Sequence, residues 1–189
     1  MTRRLSILLC AAGLLAGCIT DERPWRPLGG VYDSGNWFGP RIAMPLPQEW
    51  IERNFVEDGL VATHDGFNLQ TIAITRVDPG KDLPHTKKKV AKGMRPNELA
   101  EVLLDDLRAS GKANALTVLD TRPLTIGGSP GFRTTVAFKD GWGLKLKAVI
   151  CGTIVADRAF RITYVAPARY YFGKDLATFD EAVAAVTFR

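Results

Sequence analysis

From Arg41 onward, apolar and polar positions fall into short alternating runs, interrupted once by a longer run of helical spacing. Arg41 to Pro45 reads as a short strand, and Leu60 to His64 with Asn68 to Val77 as a hairpin around Asp65-Gly66. Pro96 to Ser110 is the clearest helix. Pro96 suits a first turn, Leu99, Val102, Leu103 and Leu107 make one apolar stripe, and Gly111 supplies the stop. Four strand-like runs follow: Leu116 to Ile126, Phe132 to Lys139, Trp142 to Val155 and Ala159 to Val165. Turns at Gly127-Gly128, Asp140-Gly141 and Asp157-Arg158 separate them. In the third run, Trp142, Leu144, Leu146, Ala148 and Ile150 are expected on one face, with Lys145 and Lys147 on the other. A closing helix near Lys174 to Ala185 offers Leu176, Phe179, Val183 and Val186 to the core. Consecutive hairpins with separate helices predict an α+β domain, an antiparallel β-sheet flanked by α-helices, over residues 41 to 189.

The chain before Arg41 has a different character. Arg3 and Arg4 precede an apolar run from Leu5 to Leu15, which ends in the small pair Ala16-Gly17. Charged start, short apolar middle and small residues at the cut are the layout of a secretory signal, here residues 1 to 17. The run falls short of the roughly 20 residues that span a bilayer. Leu15-Ala16-Gly17-Cys18 resembles the lipobox of bacterial lipoproteins. That resemblance implies cleavage before Cys18, a diacylglyceryl thioether on its sulfur and acylation of the new amine. Two or three acyl chains make a stable anchor at about 0.8 kcal/mol per buried methylene. Ile19 follows where an aspartate would favour inner-membrane retention, so the resemblance implies an outer-membrane lipoprotein facing the periplasm. Residues 18 to 40, rich in Pro and Gly, read as a lipidated tether in which Trp25, Trp37 and Phe38 fold back onto the domain.

Removing residues 1 to 17 from 189 leaves 172, enough for one domain with a real core. The mature chain then carries 23 basic against 20 acidic residues, a balance that does not point to nucleic acid. Of three cysteines only Cys151 would remain free, so no disulfide framework is expected. Its place in an apolar strand pattern makes it a small core residue rather than a reactive thiol.

Pro45-Leu46-Pro47-Gln48-Glu49-Trp50 resembles the entry of PsbP-like domains. The turn from Leu124 to Arg133 and the ending from Tyr164 to Phe188 fit the same family in pattern. Its members include an extrinsic photosystem subunit, a Ran-binding nuclear import factor and many bacterial lipoproteins. The resemblance implies an antiparallel sheet flanked by helices and a habit of binding proteins, with no shared active site.

Candidate chemistry is sparse. Gly127-Gly128-Ser129-Pro130-Gly131 matches the hydrolase pattern G-x-S-x-G. Yet a nucleophile elbow uses the backbone N–H after the serine, which Pro130 lacks, and leads from strand to helix. Turn chemistry accounts for the segment, so no catalytic residue is assigned. His64 with Asp65 sits at a turn and His85 stands alone, and no spacing supplies three or four metal ligands, so no metal or cofactor is expected. Asp105 and Arg108 form an ordinary i,i+3 surface pair. Lys87, Lys88, Lys89, Lys92 and Arg95 place five positive charges in nine residues with no acid among them. A solvated loop and a contact for anionic lipid, lipopolysaccharide or an acidic protein are both open. The expected protein is a membrane-anchored, non-enzymatic module that binds a protein or envelope partner. The alternatives are an envelope hydrolase whose site is assembled only by folding, or anionic-lipid binding through Lys87 to Arg95.

Overall fold

A computed structural model describes residues 25–35, 39–53, 59–78 and 80–189. The first two strands, β1 (Trp25–Pro27) and β2 (Val31–Asp33), lie within the stretch read as tether. Next come β3 (Ile42–Pro45), β4 (Ile51–Arg53), β5 (Gly59–Thr63) and β6 (Thr71–Val77). The helix α1 (Pro96–Ala109) leads into β7 (Asn114–Ile126), β8 (Ser129–Lys139), β9 (Lys145–Val155) and β10 (Arg158–Pro167). Two short helices, α2 (Tyr171–Lys174) and α3 (Leu176–Ala184), and a last strand β11 (Thr187–Phe188) close the chain.

Eight strands form one antiparallel sheet in the order β1-β4-β5-β6-β10-β9-β8-β7, and β11-β3-β2 form a second, small one. Alternation decides which side chains meet which helix. On one face Phe132, Val136, Ala148, Ile150 and Ala159 pack against Leu99, Leu103 and Leu104 of α1. On the other, Ile72, Ile74, Val149, Cys151, Ile162 and Tyr164 pack against α2, α3 and the small sheet through Phe172, Phe179, Val183, Ile42 and Met44. Among the described residues the fold is therefore mostly sheet, and three helices cover only part of it.

Helix α1 starts as its sequence suggests. Pro96 occupies the first turn, and the Glu98 carboxylate accepts the Arg95 N–H at 2.8 Å, satisfying a donor the helix itself leaves open. Gly127 and Gly128, at φ +53° and +82°, make the two-residue turn between β7 and β8. A side chain at Gly127 would also meet the Phe188 ring, its Cβ coming within 2.5 Å of a ring carbon.

Three departures from the sequence pattern have local causes. Residues 25 to 27 and 31 to 33 pair with β4 and β3, and Leu28 between them is buried, so the stretch of residues 18 to 40 contributes edge strands. Trp25 folds back, its ring 6.2 Å from that of Phe67, whereas Trp37 and Phe38, like Cys18, fall outside the described residues. The expected apolar face of the third run holds for Leu146, Ala148 and Ile150 but fails at its start. Trp142 is 95% exposed because the Asp140 carboxylate accepts the Trp142 and Leu144 N–H groups, each at 2.9 Å, and folds residues 140 to 144 into a loop. The closing helix expected from about Lys174 forms as α3 and is preceded by the separate turn α2; the buried Asp175 carboxylate between them accepts a hydrogen bond from Gln70 Nε2 at 2.9 Å. Among the described residues, no helix is long and apolar enough to cross a membrane.

Candidate functional site

The lysine-rich segment is held by a buried acid. Asp106 on α1 is 3% exposed and accepts the N–H groups of His85 and Thr86 at 2.8 and 3.0 Å. Adjacent acids on a helix point apart, and Asp105 faces outward to pair with Arg108 and Lys88 at 2.9 and 2.7 Å. Folding also brings Asp82 to Lys89 at 3.6 Å, Asp157 to Lys92 at 2.9 Å and Glu98 to Arg95 at 2.7 Å. Lys87, at φ +60°, has no ion pair among the described residues. The hydrogen bond from Lys88 holds the Asp105 carboxyl below the usual carboxylate range, and that from Arg95 does the same for Glu98. These pairs are exposed and add little to stability. Their consequence is electrostatic: acids outside the run neutralise most of its charge.

The same segment borders the main groove. Lys92, Met94, Arg95 and Pro96 line a hollow of about 510 Å³ between the start of α1 and the β9–β10 turn. It adjoins a second of about 560 Å³, bounded by Arg122, Leu124, Thr125 and Phe132 of the β7–β8 hairpin, with Pro96 and Pro130 common to both. The lining is mostly apolar, and its charged members are Lys92, Arg95, Arg122 and Asp157. Ser129 lies next to this groove but not in an elbow. It pairs with Ile126 as the first residue of β8, directly after the Gly-Gly turn. His64 is at the opposite end of the sheet, because the β5–β6 turn adjoins the start of β9 while Ser129 adjoins its end. His85 is held at Asp106, ten residues or about 15 Å along α1 from Pro96. Neither histidine therefore faces the hydroxyl.

Folding assembles one polar cluster that spacing did not reveal. His64, Asp65 and Asp175 offer ligand atoms within 4.8 Å of one another. Gln70, 1% exposed, donates Nε2 to both carboxylates, and Lys174 hydrogen-bonds Asp65. That bond keeps the Asp65 carboxyl below its usual range and raises the Lys174 ammonium. Lys174 and Gln70 share one oxygen of Asp65, Gln70 takes one of Asp175, and the buried His64 Nδ1 has no hydrogen-bond partner; as built, the cluster ties the β5–β6 turn to the α2–α3 break. Gln70 and Asp175 lie 105 residues apart, and their only sequence signal is polarity at positions the fold buries.

Cys151 is buried in β9, and burial pushes its thiol up to about 12. At pH 8 it is expected to resist alkylation in the folded chain and to react fully in urea, as peptide mass would show. Rapid labelling of the native protein would contradict its placement.

The arrangement is that of an antiparallel α+β domain with a surface groove at one end of its main sheet and the His64–Asp65–Asp175 cluster toward the other. No protein-family model matches the chain, and no curated protein sequence matches it. Solved structures do share its fold. LpqN, involved in cell envelope biogenesis of Mycobacterium tuberculosis, is 13% identical at a TM-score of 0.56, over 92% of this chain and 96% of that one. The cyanobacterial PsbP of Synechocystis is 10% identical at 0.53, over 85% and 94%. The Ran-binding protein Mog1p of Saccharomyces cerevisiae is 12% identical at 0.51, over 76% and 83%. The domain thus has the PsbP/Mog1-like fold that the motifs around Trp50 and Gly131 suggested.

Proposed function

We propose that the chain is a non-enzymatic binding module of the bacterial envelope, lipid-anchored through Cys18 and sorted to the outer membrane. Its groove at the start of α1 receives a segment of a protein partner. The groove carries the reading. A mostly apolar lining supplies area to desolvate, and the exposed Arg122 on it, which has no ion pair among the described residues, favours an acidic segment. The fold shared with an envelope protein and a Ran-binding protein supports a binding role. The acids that partner Lys88, Lys89, Lys92 and Arg95 weigh against the loop as an anionic-lipid site.

Metabolic labelling with palmitate tests the anchor: label is expected on the wild-type chain and absent from Cys18→Ala. A photo-crosslinker at Thr125, in the groove, tests the partner site in intact cells. One discrete protein adduct is expected, retained in Ser129→Ala and reduced at least tenfold by Arg122→Glu. An adduct that persists in Arg122→Glu would remove the groove from the reading.

A further inference from the structure

We propose that the end of the main sheet carrying Trp142 is a membrane-contact face, seated on the anionic phospholipid headgroups of the bilayer that holds the anchor. This inference rests on the lipid-anchor reading. Register brings three segments to that end. Lys139 pairs with Lys145 across β8 and β9, Leu146 with Pro167 across β9 and β10, and Thr71, next to the β5–β6 turn, with Val165. The loops 140 to 144, 64 to 70 and 168 to 170 are therefore neighbours.

Large apolar side chains concentrate on these loops. Trp142 is 95% exposed, Tyr170 71%, Phe67 52% and Leu144 47%. Phe67, Trp142 and Leu144 line a hollow of about 550 Å³ with Leu146 and Val165, and α1 contributes nothing to it. The exposure of Trp142 is built in. Besides its two side-chain acceptances, Asp140 exchanges backbone hydrogen bonds with Leu144 and Gly143, each at 3.1 Å, so the loop holds the indole outward. A fixed, solvated tryptophan costs a soluble surface and suits a bilayer interface, where indole and phenol rings rest at headgroup level.

Charge points to the same occupant. Lys139 and Lys145 are exposed and face one another across two strands, an arrangement of like charges that disfavours the pairing. Arg169 is exposed nearby. None of the three has an ion pair among the described residues, in contrast to the lysine-rich segment, whose cations are mostly matched by acids. Of the acids at this end, Asp140 is engaged by backbone N–H groups and Asp65 by Lys174. The anchor's position agrees. Cys18 precedes Trp25 by seven residues, a leash of at most about 25 Å, and the Trp25 ring lies against Phe67. The groove of α1 adjoins the β9–β10 turn at the other end of the sheet and is left facing away from the bilayer.

The test uses the full mature chain purified from membranes and reconstituted in phosphatidylethanolamine–phosphatidylglycerol vesicles with brominated acyl chains. Bromolipid quenching of tryptophan emission is expected to be at least twofold greater in the wild type than in Trp142→Phe, a change at an exposed position. Lys139→Glu with Lys145→Glu should halve it. Equal quenching in wild type and Trp142→Phe overturns the contact face. The mass of the Cys18 peptide from the same sample separates the two readings. A lipidated Cys18 without Trp142 quenching leaves the anchor and removes the face, whereas an unmodified Cys18 removes both. A photo-crosslinker at Leu144 that captures a protein in place of lipid also overturns the proposal.

Discussion

Trp50→Ala is expected to destabilise the domain by about 3 to 5 kcal/mol, the range for deleting a large buried aromatic. Trp50 is 1% exposed and packs in the same cluster as Leu28, Ile42 and Leu46. Its indole stacks on His64 at 5.9 Å, and its carbonyl accepts the Leu28 N–H at 3.0 Å. Truncation thus opens a void beneath both the short β1–β4 edge and the polar cluster, where neighbouring strands are too constrained to collapse into it. Thermal unfolding should fall by about 10 °C or more for a domain of this size. Urea unfolding measures the effect directly, and a loss below about 1 kcal/mol would mean that the site refills.

Asp180→Ala should cost about 2 to 3 kcal/mol, because it strands a guanidinium that folding has buried. Arg133 on β8 is 8% exposed and donates from Nε and Nη2 to the two Asp180 oxygens at 3.1 and 3.2 Å. Its Nη1 reaches Thr135 Oγ1 at 3.0 Å. The pair fastens α3 to the sheet. Asp180 is itself partly exposed, which keeps the cost below that of a wholly buried pair. Combined with Arg133→Met, Asp180→Ala should become nearly silent, since no charge is left to strand. A double-mutant cycle with a coupling energy under about 0.5 kcal/mol would show that the two side chains do not act together.

Much of the architecture could be read from the chain because its signals are local. The two-residue alternation of β8 to β10, the glycine pair at residues 127 and 128, and the stripe with Pro96 at its head each depend on neighbours within a few positions. One error arose where a side chain captured backbone: Asp140 diverts Trp142 and Leu144 from the strand their spacing favours. The edge strands β1 and β2 carried no usable pattern, being three residues each among prolines and glycines; only pairing with β4 and β3 defines them. The candidate sites were hidden for a different reason. The acids that neutralise Lys88, Lys89 and Lys92 come from residues 82, 105 and 157, the groove from three separate segments, and the Gln70–Asp175 contact from strands and helices far apart. No reading of spacing brings such groups together before the topology is known.

The order in which the strands find partners has a consequence for biogenesis. β6 pairs with β10, and β3 with β11 at Thr187 and Phe188, almost the last residues of the chain. A chain emerging amino end first would therefore display β6 and β3 each with one hydrogen-bonding edge vacant until β10 and β11 arrive, whereas β4 and β5 find both partners early. Such long-range closure folds slowly, so the domain as a whole compacts only once β10 and β11 are available.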